Sequence, residues 1–436
     1  MTKPDSMRES WKLYLAVNSS TGALLGAIFL VCMGSELWSP FIPNYMRDLT
    51  AGILAIAAYG SLRDLLEAVN YLLGGWIAGR FNTRRGLILF NATPLAGLLI
   101  LLLWHSPVAV FAAIPFVFVW DSLAGPALLT VVGDSLPPDR RAMAFSLQSL
   151  LRRLSRVFAY SINALLVIVM GTTLGMHAAF GISIGVVAAS LVLQLRYMKT
   201  ASRDSQSIIH KPLAVLRGFD PQLKRLLAAD VFARLAEGMP RELIPVFCVA
   251  VFMRTTGVTP PSAWALFGTM LIVSQVTSAI TYLPMGHLAS KAGFGKRPYI
   301  GWTFFFFASF PIVLAIMGVL TLLHVFPSWL TIWAVGFAFV FAGLREIGEP
   351  ARKAMIIDLI PPAQKTQAIG IYWSARCVAV MLAPLAGGAV WIGVNHLAGY
   401  PSTTATGPGP VAMLLASGLC GLAGVAYYYR RFGKTL

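Results

Sequence analysis

Charged side chains recur along one segment at the spacing of a single helix face. Asp230, Arg234, Glu237 and Arg241 are four, three and four residues apart, and their signs alternate. Residues at such spacings are neighbours on a helix surface, so opposite charges can pair. Carboxylates take up and release protons, and arginines bind carboxylate or phosphate groups. The pattern therefore predicts a helix that holds internal ion pairs or handles protons and anions.

A second segment, GLREIGEPARKAMIIDLIPP at residues 343–362, is also rich in charge. Its charged residues are Arg345, Glu346, Glu349, Arg352, Lys353 and Asp358. Four-residue spacing predicts that Glu349 pairs with Arg345 and with Lys353 on one helix face. This density of charge needs a reason, because the rest of the chain is strongly apolar.

The elements that must position these charges are membrane-spanning helices. Of the 436 residues 57% are hydrophobic and 12% are charged, whereas soluble proteins carry roughly a quarter charged residues. Apolar runs of about 20 residues, the length that crosses a bilayer, recur along the chain. They predict an all-α membrane protein with twelve transmembrane helices. The predicted spans are 20–45, 51–79, 86–105, 107–134, 142–170, 176–197, 222–253, 260–289, 298–324, 327–360, 365–396 and 409–429.

The net charge of +17 follows membrane topology and does not indicate a nucleic-acid site. With the N-terminus in the cytoplasm, the loops on the opposite side hold only Arg47 and Arg254 as basic residues. This is the positive-inside rule, and it predicts cytoplasmic termini with basic contacts to anionic lipid head groups. The four cysteines and six histidines are scattered, so we expect no metal and no cofactor.

The chain also repeats itself. Residues 125–152 align with residues 349–376 at an offset of 224, which pairs Arg152 with Arg376. Shorter matches at offsets of 211 and 202 join other helices in the same order. The repeat predicts two pseudo-symmetric six-helix bundles. They are an N-terminal bundle at 1–197 and a C-terminal bundle at 222–436, joined by a cytoplasmic linker at 198–221.

This organisation resembles the major facilitator superfamily (MFS) of transporters, whose two parallel halves are related by an axis along the membrane normal. The segment GWIAGRFNTRRG, residues 75–86, resembles the family signature between helices 2 and 3. The residues that fit the signature are Gly75, Arg80, Arg84 and Arg85. Gly79 replaces the family's aspartate, which helps to latch the cytoplasmic gate. The resemblance implies a gating loop here, and residues 343–356 look like a stretch found in poorly characterised bacterial efflux-type members.

The resemblance also implies that helices 1, 4, 7 and 10 line a central cavity. Glu36 and Asp121 lie near mid-membrane without an opposite charge three or four residues away, so they must pair across helices or be neutral. A carboxyl group removed from water can hold a proton near neutral pH, which makes both candidates for proton coupling. The candidate residues for substrate binding or proton coupling are Glu36, Asp121, Arg152, Arg234, Glu237, Arg345, Glu346, Glu349 and Arg376.

Two further features complete the prediction of the site. The arginines of helix 5 need acids from other helices, with Asp134, Asp358 or the acids of helix 2 as the expected partners, or an anionic group of the substrate. Prolines inside the spans predict bends where gates move. These prolines are Pro40, Pro43, Pro126, Pro245, Pro350 and Pro384.

Together these patterns predict a secondary active transporter of the bacterial inner membrane that moves a small organic solute by alternating access, with proton-coupled efflux as the first expectation. Proton-coupled uptake of an organic anion or zwitterion and a transporter-like membrane sensor stay open. The sequence has no GxxxxGK[ST] phosphate-binding loop and no compact catalytic cluster, so we expect neither ATP hydrolysis nor enzymatic activity. The expected partners are the solute, protons and the bilayer, the protein acting as a monomer without nucleic acid.

Overall fold

The computed structural model describes residues 19–80, 83–119, 123, 138–197, 212–290, 297–360 and 365–431. Within these residues the first half forms seven α-helices and a 3-10 turn at Ser39–Phe41. The helices are α1 (Ser19–Glu36), α2 (Ile42–Asp48), α3 (Ile53–Arg80), α4 (Thr83–Leu103), α5 (Pro107–Val117), α6 (Pro138–Met170) and α7 (Thr172–Tyr197).

The remainder of the described chain is helical as well and contains no strand. Its helices are α8 (Pro212–Arg217), α9 (Pro221–Arg241), α10 (Ile244–Thr256), α11 (Pro260–Ser290), α12 (Arg297–Leu322), α13 (Ser328–Leu344), α14 (Glu349–Asp358), α15 (Lys365–Val380), α16 (Ala383–Leu397) and α17 (Pro408–Arg431). The short helix α8 lies within the predicted linker, where Val215 and Phe219 pack into an apolar cluster with Leu223.

Seven helical stretches of the described chain are long and apolar enough to cross a membrane, and four shorter apolar helices accompany them. The charged helix α3 is not among them, although its 28 residues exceed the length of a span. The predicted span 107–134 is described only to residue 119 and at residue 123. The all-α membrane fold is confirmed, and the count of twelve spans stays a prediction.

Four membrane segments are interrupted near their middle. The segment of α1 and α2 breaks before Pro40 and Pro43, and the segment of α9 and α10 breaks before Pro245. The other two breaks precede Pro350 and Pro384. Proline lacks an N–H and clashes with the preceding turn, so each break follows from the sequence. The prediction of bends is confirmed at these prolines, and Pro126 lies outside the described residues.

Helix contacts recur between the two halves. Helix α1 packs on α6 and α7 as α9 packs on α16 and α17, and α4 packs on α5 and α7 as α12 packs on α13 and α17. The halves meet where α3 packs on α15 and α16 and where α6 packs on α11. The two interfaces are equivalent, since the repeat matches α3 with α11 and α6 with α15. The fold is thus a pair of pseudo-symmetric bundles, while the exact domain limits stay a prediction.

Candidate transport site

Glu36, the last residue of α1, pairs across helices with α6. Its Oε1 accepts a hydrogen bond from Arg156 Nε at 2.8 Å, and its Oε2 accepts one from the Tyr160 hydroxyl at 2.8 Å. The side chains of Glu36 and Arg156 are 17% and 31% exposed. The expectation of a partner on another helix is confirmed for Glu36, whereas Asp121 lies outside the described residues.

A small cavity opens beside this carboxylate within the first half. Its lining includes Glu36 and Trp38 of the α1–α2 segment, Arg63 of α3, Pro94 of α4 and Phe118 after α5. The Arg63 guanidinium lies 4.3 Å from the centroid of the Phe118 ring. A carboxylate and a guanidinium therefore face one space at mid-depth, which suits water or a polar group.

The second half contains a larger cluster, centred on Arg352 of α14. Arg352 donates to Asp230 on α9, and its Nε and Nη2 donate to the two oxygens of Glu349 at 2.9 and 2.8 Å. Neither Arg352 nor Asp230 has any accessible side-chain surface. A buried guanidinium that satisfies two carboxylates fixes helices in place. The sequence spacing did not predict the pair of Arg352 with Asp230, although the sequence has opposite charges on predicted helices 7 and 10.

The same cluster extends towards mid-depth through Glu237. Arg234 Nη1 donates to Glu237 Oε2 at 2.5 Å, and Arg345 Nη1 donates to Oε1 at 3.2 Å. The predicted pair of Arg345 with Glu349 is wrong. Helix α13 ends at Leu344 and α14 begins at Glu349, so the turn between them removes the helical spacing on which the prediction depended.

A close backbone contact positions this break. The Gly348 amide donates to Thr303 Oγ1 at 2.7 Å. A Cβ atom at Gly348 would overlap the carbonyl group of Tyr299. Only glycine allows α12 and the turn to approach so closely. Arg345 therefore lies outside α14, and its side chain contacts α9.

Arg241 ends α9 and leaves the predicted stripe. Its Nη2 donates to Asp64 Oδ1 at 2.9 Å and its Nε to Glu242 Oε1 at 2.8 Å. Arg63 Nη1 lies 3.8 Å from Glu242 and Nε lies 3.1 Å from Glu67. The predicted pair of Arg63 with Glu67 is confirmed. The contacts of Arg241 with Asp64 and of Arg63 with Glu242 join α3 of one half to the α9–α10 segment of the other.

A second ion pair joins the halves through α6. Arg153 Nη2 lies 2.9 Å from Glu346 Oε2. Arg153 and Arg156 meet acids from other helices, as predicted, and the described partners are Glu346 and Glu36. The predicted partner Asp134 lies outside the described residues. Arg152 lies one turn before Arg156 on α6, and its carbonyl oxygen accepts from Ser155 Oγ at 2.8 Å.

Arg376 of α15 and the exposed Lys353 complete the cluster. Lys353 Nζ lies 3.6 Å from Glu349 Oε1, which confirms that predicted pair. Arg376 Nη1 lies 3.7 Å from Asp230 Oδ2, and its guanidinium lies 4.0 Å from the centroid of the Trp373 ring. The side chains of the predicted gating residues lie outside what the structure describes. They are Gly75, Arg80, Arg84 and Arg85.

Aromatic side chains join the halves on the side away from the termini, which we call the far side. Phe41 stacks on Trp264 of α11 at a centroid distance of 6.4 Å and meets Phe267 edge-on at 5.9 Å. All three rings are almost fully buried. This far-side aromatic contact excludes water between the α1–α2 segment and α11.

The fold agrees with the comparison to known proteins. The chain matches the family model of the Major Facilitator Superfamily over residues 24–342. The match covers more than half of the chain, which therefore belongs to this family of transporters. No curated protein matches it.

Solved structures of transporters share the fold. A mutant of the nucleoside transporter NupG has a TM-score of 0.66 at 13% identity, covering 94% of this chain and 100% of its own. A bacterial homologue of the human lysosomal transporter Spinster, inward-facing and occupied, has a TM-score of 0.65 at 14% identity, covering 99% and 97%. At such identity these likenesses concern the fold alone.

Proposed function

We propose that this membrane transporter moves a small organic solute by alternating access and couples the movement to protons. The observation that carries the proposal is a set of partly exposed charges at mid-depth, from segments of both halves. Their side chains are 17–31% exposed. They belong to Glu36, Arg63, Arg156, Arg234, Glu237, Arg241, Arg345 and Glu346. Such charges deep in an apolar bundle favour a water-filled path.

The contacts between the halves support alternating access. Phe41 and Trp264 close the far side, while Arg153 with Glu346 and Arg241 with Asp64 tie the halves at mid-depth. Opening the far side requires the bundles to rotate, which separates the rings and rearranges both ion pairs. In each ion pair one partner is buried and the other is about 30% exposed, so water can replace the exposed partner when the pair is exchanged during a cycle.

Proton coupling is proposed to act through Glu36. Its carboxylate has one arginine partner and one hydroxyl partner, beside a cavity. Protonation removes the charge that holds Arg156, so the tie between α1 and α6 weakens. A proton taken up on one side of the membrane and released on the other would thus bias the two conformations.

The orientation and direction rest on sequence alone. Basic loops favour cytoplasmic termini in a bacterial inner membrane, and the far side would then face away from the cytoplasm. Efflux, which the family resemblance predicts, stays a prediction. So do the monomeric state and the gating role of the loop at residues 75–86.

Reconstituted proteoliposomes test the proposal. A pH gradient is imposed in either orientation, and the accumulation of carboxylates, their amides, amines and neutral solutes is followed by mass spectrometry. We expect at least one solute to accumulate with the gradient and to stop when an ionophore collapses it. Accumulation that persists after the ionophore collapses the gradient, or exchange with no gradient-driven accumulation, would retain transport and contradict proton coupling. Binding without any flux would support the sensor alternative and contradict transport.

A further inference from the structure

The cluster between α9, α13, α14 and α15 carries more positive than negative charge. Its members with side chains 0–22% exposed are four arginines, Arg234, Arg345, Arg352 and Arg376, and three carboxylates, Asp230, Glu237 and Glu349. The additional cation, Lys353, is 48% exposed, so water solvates it. Among the described residues, the cluster without Lys353 is one negative charge short of balance.

The surplus falls on Arg376. Arg234, Arg345 and Arg352 each donate to a carboxylate within 3.2 Å. The 3.7 Å from Arg376 Nη1 to Asp230 is too long for a hydrogen bond. The residue is 8% exposed, and this buried Nη1 has no hydrogen-bond partner among the residues that the structure describes. A buried guanidinium in this position has an unused donor for an anion.

Two aromatic rings hold Arg376 at the interface of the halves. Its guanidinium lies over Trp373 at 4.0 Å, and the Trp373 ring stacks on Tyr71 of α3 at 6.2 Å with 29° between the planes. The stacked ring fixes the plane of the guanidinium and tolerates its charge. Because α3 and α15 belong to opposite halves, relative motion of the bundles changes access to Arg376.

We propose that Arg376 binds the carboxylate of the transported solute, which is an organic monoanion. The inference rests on the proposed transport function. A guanidinium binds a carboxylate through two parallel hydrogen bonds. One such carboxylate balances the surplus charge of the cluster. A cationic solute would increase the surplus, and a dianion would reverse it.

Thermal unfolding of the full chain in detergent tests this with matched pairs of carboxylate and primary amide. The pairs are benzoate with benzamide, hexanoate with hexanamide, and indole-3-acetate with indole-3-acetamide. At saturation at least one carboxylate should raise Tm by about 3 °C or more while its amide does not. Arg376→Gln should abolish the shift, and Arg376→Lys, which keeps the charge but loses the planar fork, should weaken binding about tenfold.

The control is Arg196→Gln, at the exposed end of α7, which should keep the full shift. Without ligand, Arg376→Gln should unfold close to the wild-type Tm, because it removes a surplus charge. The proposal is wrong if no carboxylate shifts Tm, if amides act equally, or if Arg376→Gln and Arg376→Lys bind as the wild type does.

The outcome is separable from that of the proposed function, because Tm is measured without a gradient. A carboxylate that binds through Arg376 but is not driven by a pH gradient contradicts proton coupling alone. A neutral or cationic solute that is driven by the gradient contradicts the role of Arg376 alone.

Discussion

In the first half α1 meets α6 through Glu36 and Arg156, both partly exposed, whereas in the second half α9 meets α14 through Asp230 and Arg352, both without accessible surface. The repeat shows where the difference arises. At the offset of 202 that matches helix 1 with helix 7, Ile28 stands in the place of Asp230. At this position the first half has no acid around which a buried cluster could form.

The two halves also differ in what contacts the backbone carbonyl group at the helix break. In the first half Asn163 Nδ2 donates to the Leu37 carbonyl oxygen at 2.8 Å. In the second half the equivalent carbonyl, that of Met239, lies so close to Gly387 that a Cβ atom there would overlap it. The repeat offsets of 202 and 224 match Leu37 with Met239 and Asn163 with Gly387. One break is held by a side chain, and the other by direct helix contact.

The comparison indicates that two bundles of similar fold can have different roles in one transporter. The buried cluster around Arg352 makes α9 and α14 one rigid body and presents Arg376 beside them. The pair of Glu36 with Arg156 is partly exposed, and protonation of Glu36 is proposed to release it. We therefore assign rigidity and solute binding to the second half and the proton-sensitive tie to the first.

The largest expected effect is a difference in stability between substitutions of Arg352 in the second half and Arg156 in the first. Arg352→Gln leaves two buried carboxylates without their cation and should cost about 3–5 kcal/mol. Arg156→Gln removes a partly exposed partner and should cost about 1 kcal/mol or less. Thermal unfolding in detergent measures both, with Arg196→Gln as the exposed control. Equal falls in Tm would contradict the division of rigidity between the halves.

The next effect concerns the helix breaks. Gly387→Ala introduces a Cβ atom against the Met239 carbonyl group and should cost about 1–3 kcal/mol. Gly393→Ala on the same helix meets nothing within 4 Å and should be neutral or stabilising. Asn163→Ala leaves the Leu37 carbonyl without its partner and should cost about 1–3 kcal/mol. If Gly387→Ala and Gly393→Ala unfold at the same Tm, the direct helix contact is not a constraint.

A smaller effect is expected at the tie between the halves. Arg153→Glu and Glu346→Arg each place like charges together, and the double substitution restores an ion pair of reversed sign. A double-mutant cycle on unfolding should give a coupling free energy of about 0.5–1 kcal/mol. Additive losses would show that Arg153 and Glu346 do not interact in the folded protein.

The smallest effect tests the cluster at its exposed edge. Lys353 shares Glu349 with Arg352, but about half of its side chain is exposed. Lys353→Gln should therefore change the free energy of unfolding by about 0.5 kcal/mol or less. A loss as large as that of Arg352→Gln would show that the contribution of these ion pairs to stability does not depend on their exposure. The proposed difference between the buried cluster and the partly exposed pair at Glu36 would then be contradicted.

Much of the fold follows from the sequence, because apolar length and charged loops are local signals. Helix limits in the described chain agree with the predicted spans to within a few residues. Ion pairs within one continuous helix, such as Arg63 with Glu67, were predictable for the same reason.

Pairs across a break or between helices were not predictable. Arg345 turns to Glu237 because Gly348 lets the chain approach α12 and ends the helical spacing. Arg153 meets Glu346 because α6 and α13 belong to opposite halves that meet at mid-depth. Both depend on tertiary contacts that no spacing in the sequence encodes.

The measurement that tests the central claim most directly compares net accumulation with exchange in proteoliposomes containing Glu36→Gln. The probe is the solute that the wild type accumulates with a pH gradient. We predict that the variant loses at least about nine-tenths of gradient-driven accumulation, while counterflow exchange at equal pH stays within about twofold of the wild type, because the neutral side chain allows the conformational change but carries no proton. Accumulation at the wild-type level would contradict the role of Glu36 in proton coupling.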